Sequence, residues 1–222
     1  MFSNREDAAR RLARRLRDRE MIRPIVLAIP RGGVAIGAIL ADQLHADLDV
    51  VLSRKLGAPD NPELALGAIG EDDSVYLNPE FRDWFGEALE PHLKREIARQ
   101  KAVIAQRKKD FREGRPPQCL EGRTVVLTDD GIATGATMKA ALHVLQGQKP
   151  AEVIIAVPVA SPDRLEQMRP LCQEIVCLLA PEDLSAVGQY YADFRQAEDH
   201  EVVSLLRAFR RDHSRPAAAV EA

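Results

Sequence analysis

Three cysteines, one tryptophan and an aromatic share of 5% leave this 222-residue chain short of the residues that build disulfide frameworks and zinc ribbons. Cys119, Cys172 and Cys177 are odd in number and include no C-x-x-C pair, so their spacing offers neither a set of bridges nor a tetrahedral metal site. Cys177 stands in an apolar run and reads as a reduced core thiol. His45, His92, His143, His200 and His213 show no metal spacing either. No apolar run approaches the roughly 20 residues of a membrane span. The N-terminus is charged at once and lacks the apolar core of a secretory leader, so the expected setting is soluble and cytoplasmic. A net charge of −3 supplies no global positive field, so nucleic acid is not an expected partner. Basic residues cluster at Arg10-Arg11, Arg14-Arg15 and through residues 94–115, but acids are interspersed, the pattern of solvated helix faces. Two familiar phosphate motifs are missing: no G-x-G-x-x-G follows the first strand, and no G-x-x-x-x-G-K-[ST] occurs. Dinucleotide binding and P-loop ATP hydrolysis lose their support.

A hydrophobic share of 45% is enough for one good-sized core. Asn4 has the chemistry of a helix cap, with acids in the first turn after it and an apolar stripe through Leu12 and Leu16 to about Glu20. Residues 24–29 form a short apolar run, the mark of a buried parallel strand. A helical pattern over 34–45 and a strand over 48–52 follow. Residues 65–69 and 74–77 flank a Gly-Glu-Asp-Asp turn and predict an inserted hairpin. Residues 81–112 are helical in pattern, with a break at Pro91, and Pro116-Pro117 ends them. Beyond the strand at 124–128 come a helix to Leu145, strands at 152–157 and 174–178, and a helix led by Pro162 between them. Strands alternating with helices predict a doubly wound, mostly parallel five-stranded sheet in one domain over 1–213, with a disordered tail at 214–222.

The densest chemistry lies at residues 124–138, TVVLTDDGIATGATM. A buried strand ends in Asp129-Asp130, and a loop of small residues then opens a helix. In such a loop backbone N–H groups and the helix dipole attract a phosphate. Gly131, Ala133, Gly135 and Ala136 admit close approach, and Thr134 and Thr137 add hydroxyl donors. Ionised Asp129 and Asp130 suit ribose hydroxyls or a Mg²⁺ held directly or through its water. A second loop, Pro30-Arg31-Gly32-Gly33, also leaves a strand end, with glycines that expose donors and a guanidinium suited to pyrophosphate.

These two motifs, in this order, resemble the signatures of type I phosphoribosyltransferases, which use 5-phosphoribosyl 1-pyrophosphate (PRPP). IPRGGVAIGAILADQL is similar to the family's pyrophosphate loop and helix, and TVVLTDDGIATGATM to its PRPP-binding segment. Nearly the whole chain resembles bacterial phosphoribosyltransferase-domain proteins of unsettled substrate, through PRGG, RKLGAPDNPELALGAIGE, DDGIATGAT, AVPVASP and AVGQYY. The resemblance implies the type I fold with a small C-terminal hood over about 180–200, a non-proline cis peptide at Pro30-Arg31, a Mg²⁺ cofactor and a homodimer. It implies transfer of phosphoribose from PRPP to a nitrogenous acceptor, or the reverse, with Asp129, Asp130, Arg31 and Lys55 as catalytic residues. Arg54 and Lys55 would enter a mobile loop that closes over pyrophosphate, and Tyr190 and Tyr191 in the hood would stack on a flat acceptor. Two departures count against a 6-oxopurine: Ala133 stands where those enzymes carry an Asp, and residues 156–160 lack their Lys. A regulatory protein that senses PRPP or a nucleotide without turnover is the second expectation, and a phosphoribosyl hydrolase ranks last for want of a nucleophile.

Overall fold

The computed structural model describes residues 1–59, 61, 64–78 and 89–213. Five parallel strands form the central sheet: β1 (Ile25–Ala28), β2 (Asp47–Val50), β6 (Thr124–Thr128), β7 (Glu152–Val159) and β8 (Glu174–Leu179), in the order β2-β1-β6-β7-β8. Side chains alternate across the strands, and each face is apolar. Val26, Ala28, Val126, Ile154 and Ala156 pack on α1 (Arg5–Leu16), α2 (Gly33–Gln43) and α6 (Asp199–His213). Ile25, Leu27, Val125, Leu127, Ile155 and Val157 pack on α4 (Ala136–Gln146) and α5 (Pro162–Met168). Burial on both faces is why these strands read as continuous apolar runs.

The Asn4 side chain accepts from the Asp7 amide at 3.0 Å and caps α1 as expected. The helix stops at Leu16, not near Glu20, because residues 17–20 have no apolar side chain to bury. The expected hairpin is β4 (Ala65–Gly70) with β5 (Val75–Leu77). It gains a third antiparallel strand, β3 (Ser53–Gly57), so Arg54 and Lys55 do not enter a loop: both sit in a sheet, opposite Ile69 and Ala68. Helix α3 (Glu90–Arg112) covers the second half of the long helical pattern, with Pro91 in its first turn where proline is tolerated. The first half, at 79–88, and the tail at 214–222 lie outside the described residues. Helix α6 had no counterpart in the expected elements, although Val202, Leu205, Leu206 and Phe209 carry its period.

Arg112 ties α3 to both sheets. It is 2% exposed and donates to Asp49 at 3.0 Å, to the Val50 carbonyl at 2.7 Å and to both carboxylate oxygens of Glu71. Burial opposes its charge, but Glu71 and Asp49 more than restore it and hold the guanidinium above its ordinary value.

Candidate active site

Parallel strands β1 and β6 are neighbours, so the loops leaving their carboxyl ends meet. Pairing of β6 with β7 stops at Thr128 and resumes at Ile132, whose amide donates to the Val159 carbonyl at 2.8 Å. Asp129, Asp130 and Gly131 bow out between those two points. The Pro30-Arg31 peptide is cis. Gly32 and Gly33 then run directly against the acids: a Cβ on Gly32 would fall 1.9 Å from Asp130 Oδ2, and one on Gly33 2.9 Å from the Asp129 Cα. A Cβ at Gly33 would press on backbone, and one at Gly32 would push the Asp130 carboxylate away from Arg5, which gives the Arg-Gly-Gly sequence its physical reason.

Asp129 Oδ1 accepts the Asp130 amide at 2.8 Å. Burial, and then the charge of Asp130, push the Asp129 carboxyl well above the usual carboxylate range. Asp130 is met by Arg5, whose Nε and Nη2 both donate to Oδ2, at 3.0 and 2.7 Å. Arg5 also donates to the Arg195 carbonyl at 2.8 Å, and its guanidinium lies 4.1 Å from the centre of the Phe194 ring. Sequence reasoning missed Arg5; it is the first residue of α1, remote in the chain from every motif, and no local signal marks it.

Residues 131–135 and Thr137 line a cavity of about 220 Å³ with Asp129, Asp130, Met138 and Val187. Gly135 takes φ +79° at the start of α4, while Ala133, Thr134 and Thr137 are exposed. The result is an open cradle at a helix N-terminus, suited to a phosphate. Val187 belongs to the expected hood, which lies over Gly131. The hood also includes the N-terminus: Phe2 bridges to Tyr191, and its amide donates to the Tyr190 carbonyl at 2.7 Å.

The expected stacking residues divide. Tyr191 is 5% exposed, its ring centre 5.2 Å from that of Phe2 and 4.9 Å from that of Phe194, and its hydroxyl donates to the Asp130 carbonyl at 2.7 Å. Its face is already covered, so it supports the acid loop and is not a platform for a ligand ring. Tyr190 is half-buried. Arg31 and Arg54 line a second cavity together, beside the cis turn. Lys55, the next residue of β3, is not part of that lining among the described residues.

For a divalent cation the available donors are Asp129 and Asp130, and among the described residues no group of three His, Cys, Asp or Glu side chains gathers. Two carboxylates do not make a cage. They do suit Mg²⁺, which keeps water and substrate oxygens in the rest of its shell.

A family model described as the phosphoribosyl transferase domain matches residues 2–195. The chain belongs to the phosphoribosyl transferase domain family. Within that family, relatives from two Mycobacterium tuberculosis strains, CDC 1551 / Oshkosh and ATCC 25618 / H37Rv, are 41% identical over 223 residues; their names give them provisionally as phosphoribosyl transferases. The alignment covers 100% of this chain and 50% of each relative, so the chain spans about half their length. A crystal structure of a Thermus thermophilus protein is 43% identical with a TM-score of 0.85, covering 94% of this chain and 98% of that one. The family match includes the acid loop, the Arg-Gly-Gly turn and the hood.

Proposed function

We propose that this phosphoribosyl transferase domain takes PRPP with Mg²⁺ and moves its phosphoribosyl group to a nitrogenous acceptor other than a 6-oxopurine, releasing pyrophosphate. The observation that carries this reading is the meeting of the Asp129-Asp130 loop with the Arg31-Gly32-Gly33 turn. One side offers a phosphate cradle and two acids, the other a guanidinium. The C1–O bond of the donor breaks with its electron pair leaving on pyrophosphate, the acceptor nitrogen forms the C1–N bond, and a proton is lost from that nitrogen. Residues 131–137 hold the 5-phosphate through backbone N–H groups and the Thr134 and Thr137 hydroxyls. Asp129 and Asp130 hold the ribose hydroxyls, and their charge favours the positive ring that develops as the leaving group departs. Arg31 meets the growing negative charge on pyrophosphate. Mg²⁺, held at Asp129 and Asp130, supplies charge neutralisation of the pyrophosphate. Ala133 and the buried apolar segment 156–160 support an acceptor that needs neither a carboxylate nor an ammonium partner there.

The test is release of pyrophosphate from PRPP and Mg²⁺ across a panel of nucleobases and amines, with homodimer formation followed by light scattering. Release with at least one acceptor is expected. Silence across the panel sinks the transferase reading, and tight PRPP binding without turnover replaces it with sensing.

A further inference from the structure

A cavity of about 310 Å³ opens beside the cis turn, between the carboxyl ends of β1 and β2 and the middle of α3. Arg31, Arg54 and Arg107 all line it, with Ser53 and Thr137 beside them. The three guanidinium groups come from three elements: the turn after β1, strand β3 and helix α3. Among the described residues no carboxylate lines the cavity. Arg31 approaches Glu198 and Asp199 only at 3.8 and 4.0 Å. Arg54 donates to the neutral Gln100 side chain at 2.9 Å, and Arg107 has no carboxylate partner among the described residues. Burial first, then the charges of Arg107 and Arg99, press the Arg54 guanidinium below its ordinary value. Arg112, more deeply buried on the same helix, is met by two acids. Among the described residues, the fold therefore answers a buried arginine with carboxylates and gathers three half-buried ones around a space with none. An anion of more than one charge satisfies that arrangement.

The inner stripe of α3 delivers the third cation. Gln100, Ile104, Arg107 and Phe111 follow at helical spacing, Ile104 and Phe111 in the core and Gln100 against Arg54. We propose that Arg107 is a catalytic residue: with Arg31 and Arg54 it binds the pyrophosphate of the donor and takes up the charge that this group gains on leaving. This rests on PRPP being the donor. It also gives α3 a part in the site that neither signature loop contains.

Calorimetric titration of the full chain with inorganic pyrophosphate, and with PRPP, tests both readings separately. Relative to the unaltered protein, Arg107→Ala and Arg107→Gln are expected to weaken pyrophosphate binding roughly 10- to 100-fold, the size of one charge-assisted hydrogen-bonded contact. Arg107→Lys should recover part of the loss. Lys109→Ala, an exposed cation on the same helix, should leave binding unchanged. Normal pyrophosphate affinity in both Arg107→Ala and Arg107→Gln, with affinity lost in Arg31→Ala, overturns the role of Arg107 alone. An equal loss in Lys109→Ala also overturns it, since a diffuse field would then suffice. Failure of the unaltered protein to bind either ligand overturns the donor assignment itself.

Discussion

The surroundings of Asp129 oppose a negative charge on its carboxyl. Burial and Asp130 raise its folded pKa above the ordinary 3.8, and the Asp130 amide and Arg5 offset this only in part. A carboxyl with a raised folded pKa costs nothing below its unfolded value and destabilises the fold as pH rises through the folded one. Asp129→Asn keeps an acceptor for the Asp130 amide and removes the charge. At pH 7 it is expected to raise the melting temperature by about 2–4 °C per kcal/mol regained, and to abolish turnover. The gain should shrink as pH falls toward 3.8. Differential scanning calorimetry at several pH values checks this; a lower melting temperature at pH 7 would show that the charge is stabilising. The pairing of Asp129 with Asp130 was legible because both residues stand together at the end of an apolar run. The partner of Asp130 was not: Arg5 meets it across the fold, and nothing near either residue in the chain announces the other.

At the scale of elements, α3 joins the parallel sheet to the antiparallel one through Arg112. Removing that side chain leaves Asp49, 3% exposed, and Glu71 without their cation. Arg112→Ala is expected to cost about 3–5 kcal/mol, the penalty of an uncompensated buried charge. Urea unfolding measures it, and a loss below about 1 kcal/mol, typical of a surface pair, would mean that water reaches these acids. The hairpin and α3 could be read from turn chemistry and helical spacing. Strand β3 resembles a loop in the sequence because Arg54, Lys55 and Gly57 have poor strand character. Its pairing with β4 supplies the backbone partners that local propensity does not.

Across the whole molecule, the two chain regions that flank the sheet in sequence close over one end of it. Phe2, Tyr191 and Phe194 pack together, and the Tyr191 hydroxyl reaches the Asp130 carbonyl. Burial raises the Tyr191 phenol, so it stays a neutral donor throughout the physiological range. Tyr191→Phe keeps the ring and should cost about 1 kcal/mol, whereas Tyr191→Ala should cost about 3–5 kcal/mol. Equal losses for the two variants, measured by thermal unfolding, would show that the hydrogen bond and not the packing holds the hood.

The alternation of strands and helices and the two small-residue loops are legible in the chain alone. Each of these is written in a contiguous stretch: residues 124–138 contain the strand, the acids, the small-residue loop and the helix start together. Which charges meet is a matter of the folded arrangement. Arg5 finds Asp130, and Arg31, Arg54 and Arg107 surround one cavity, because the order β2-β1-β6 and the register of β3 bring distant side chains to the same end of the sheet. Such meetings depend on which face a side chain points from and on what packs beside it, and neither is a property of residues adjacent in the chain.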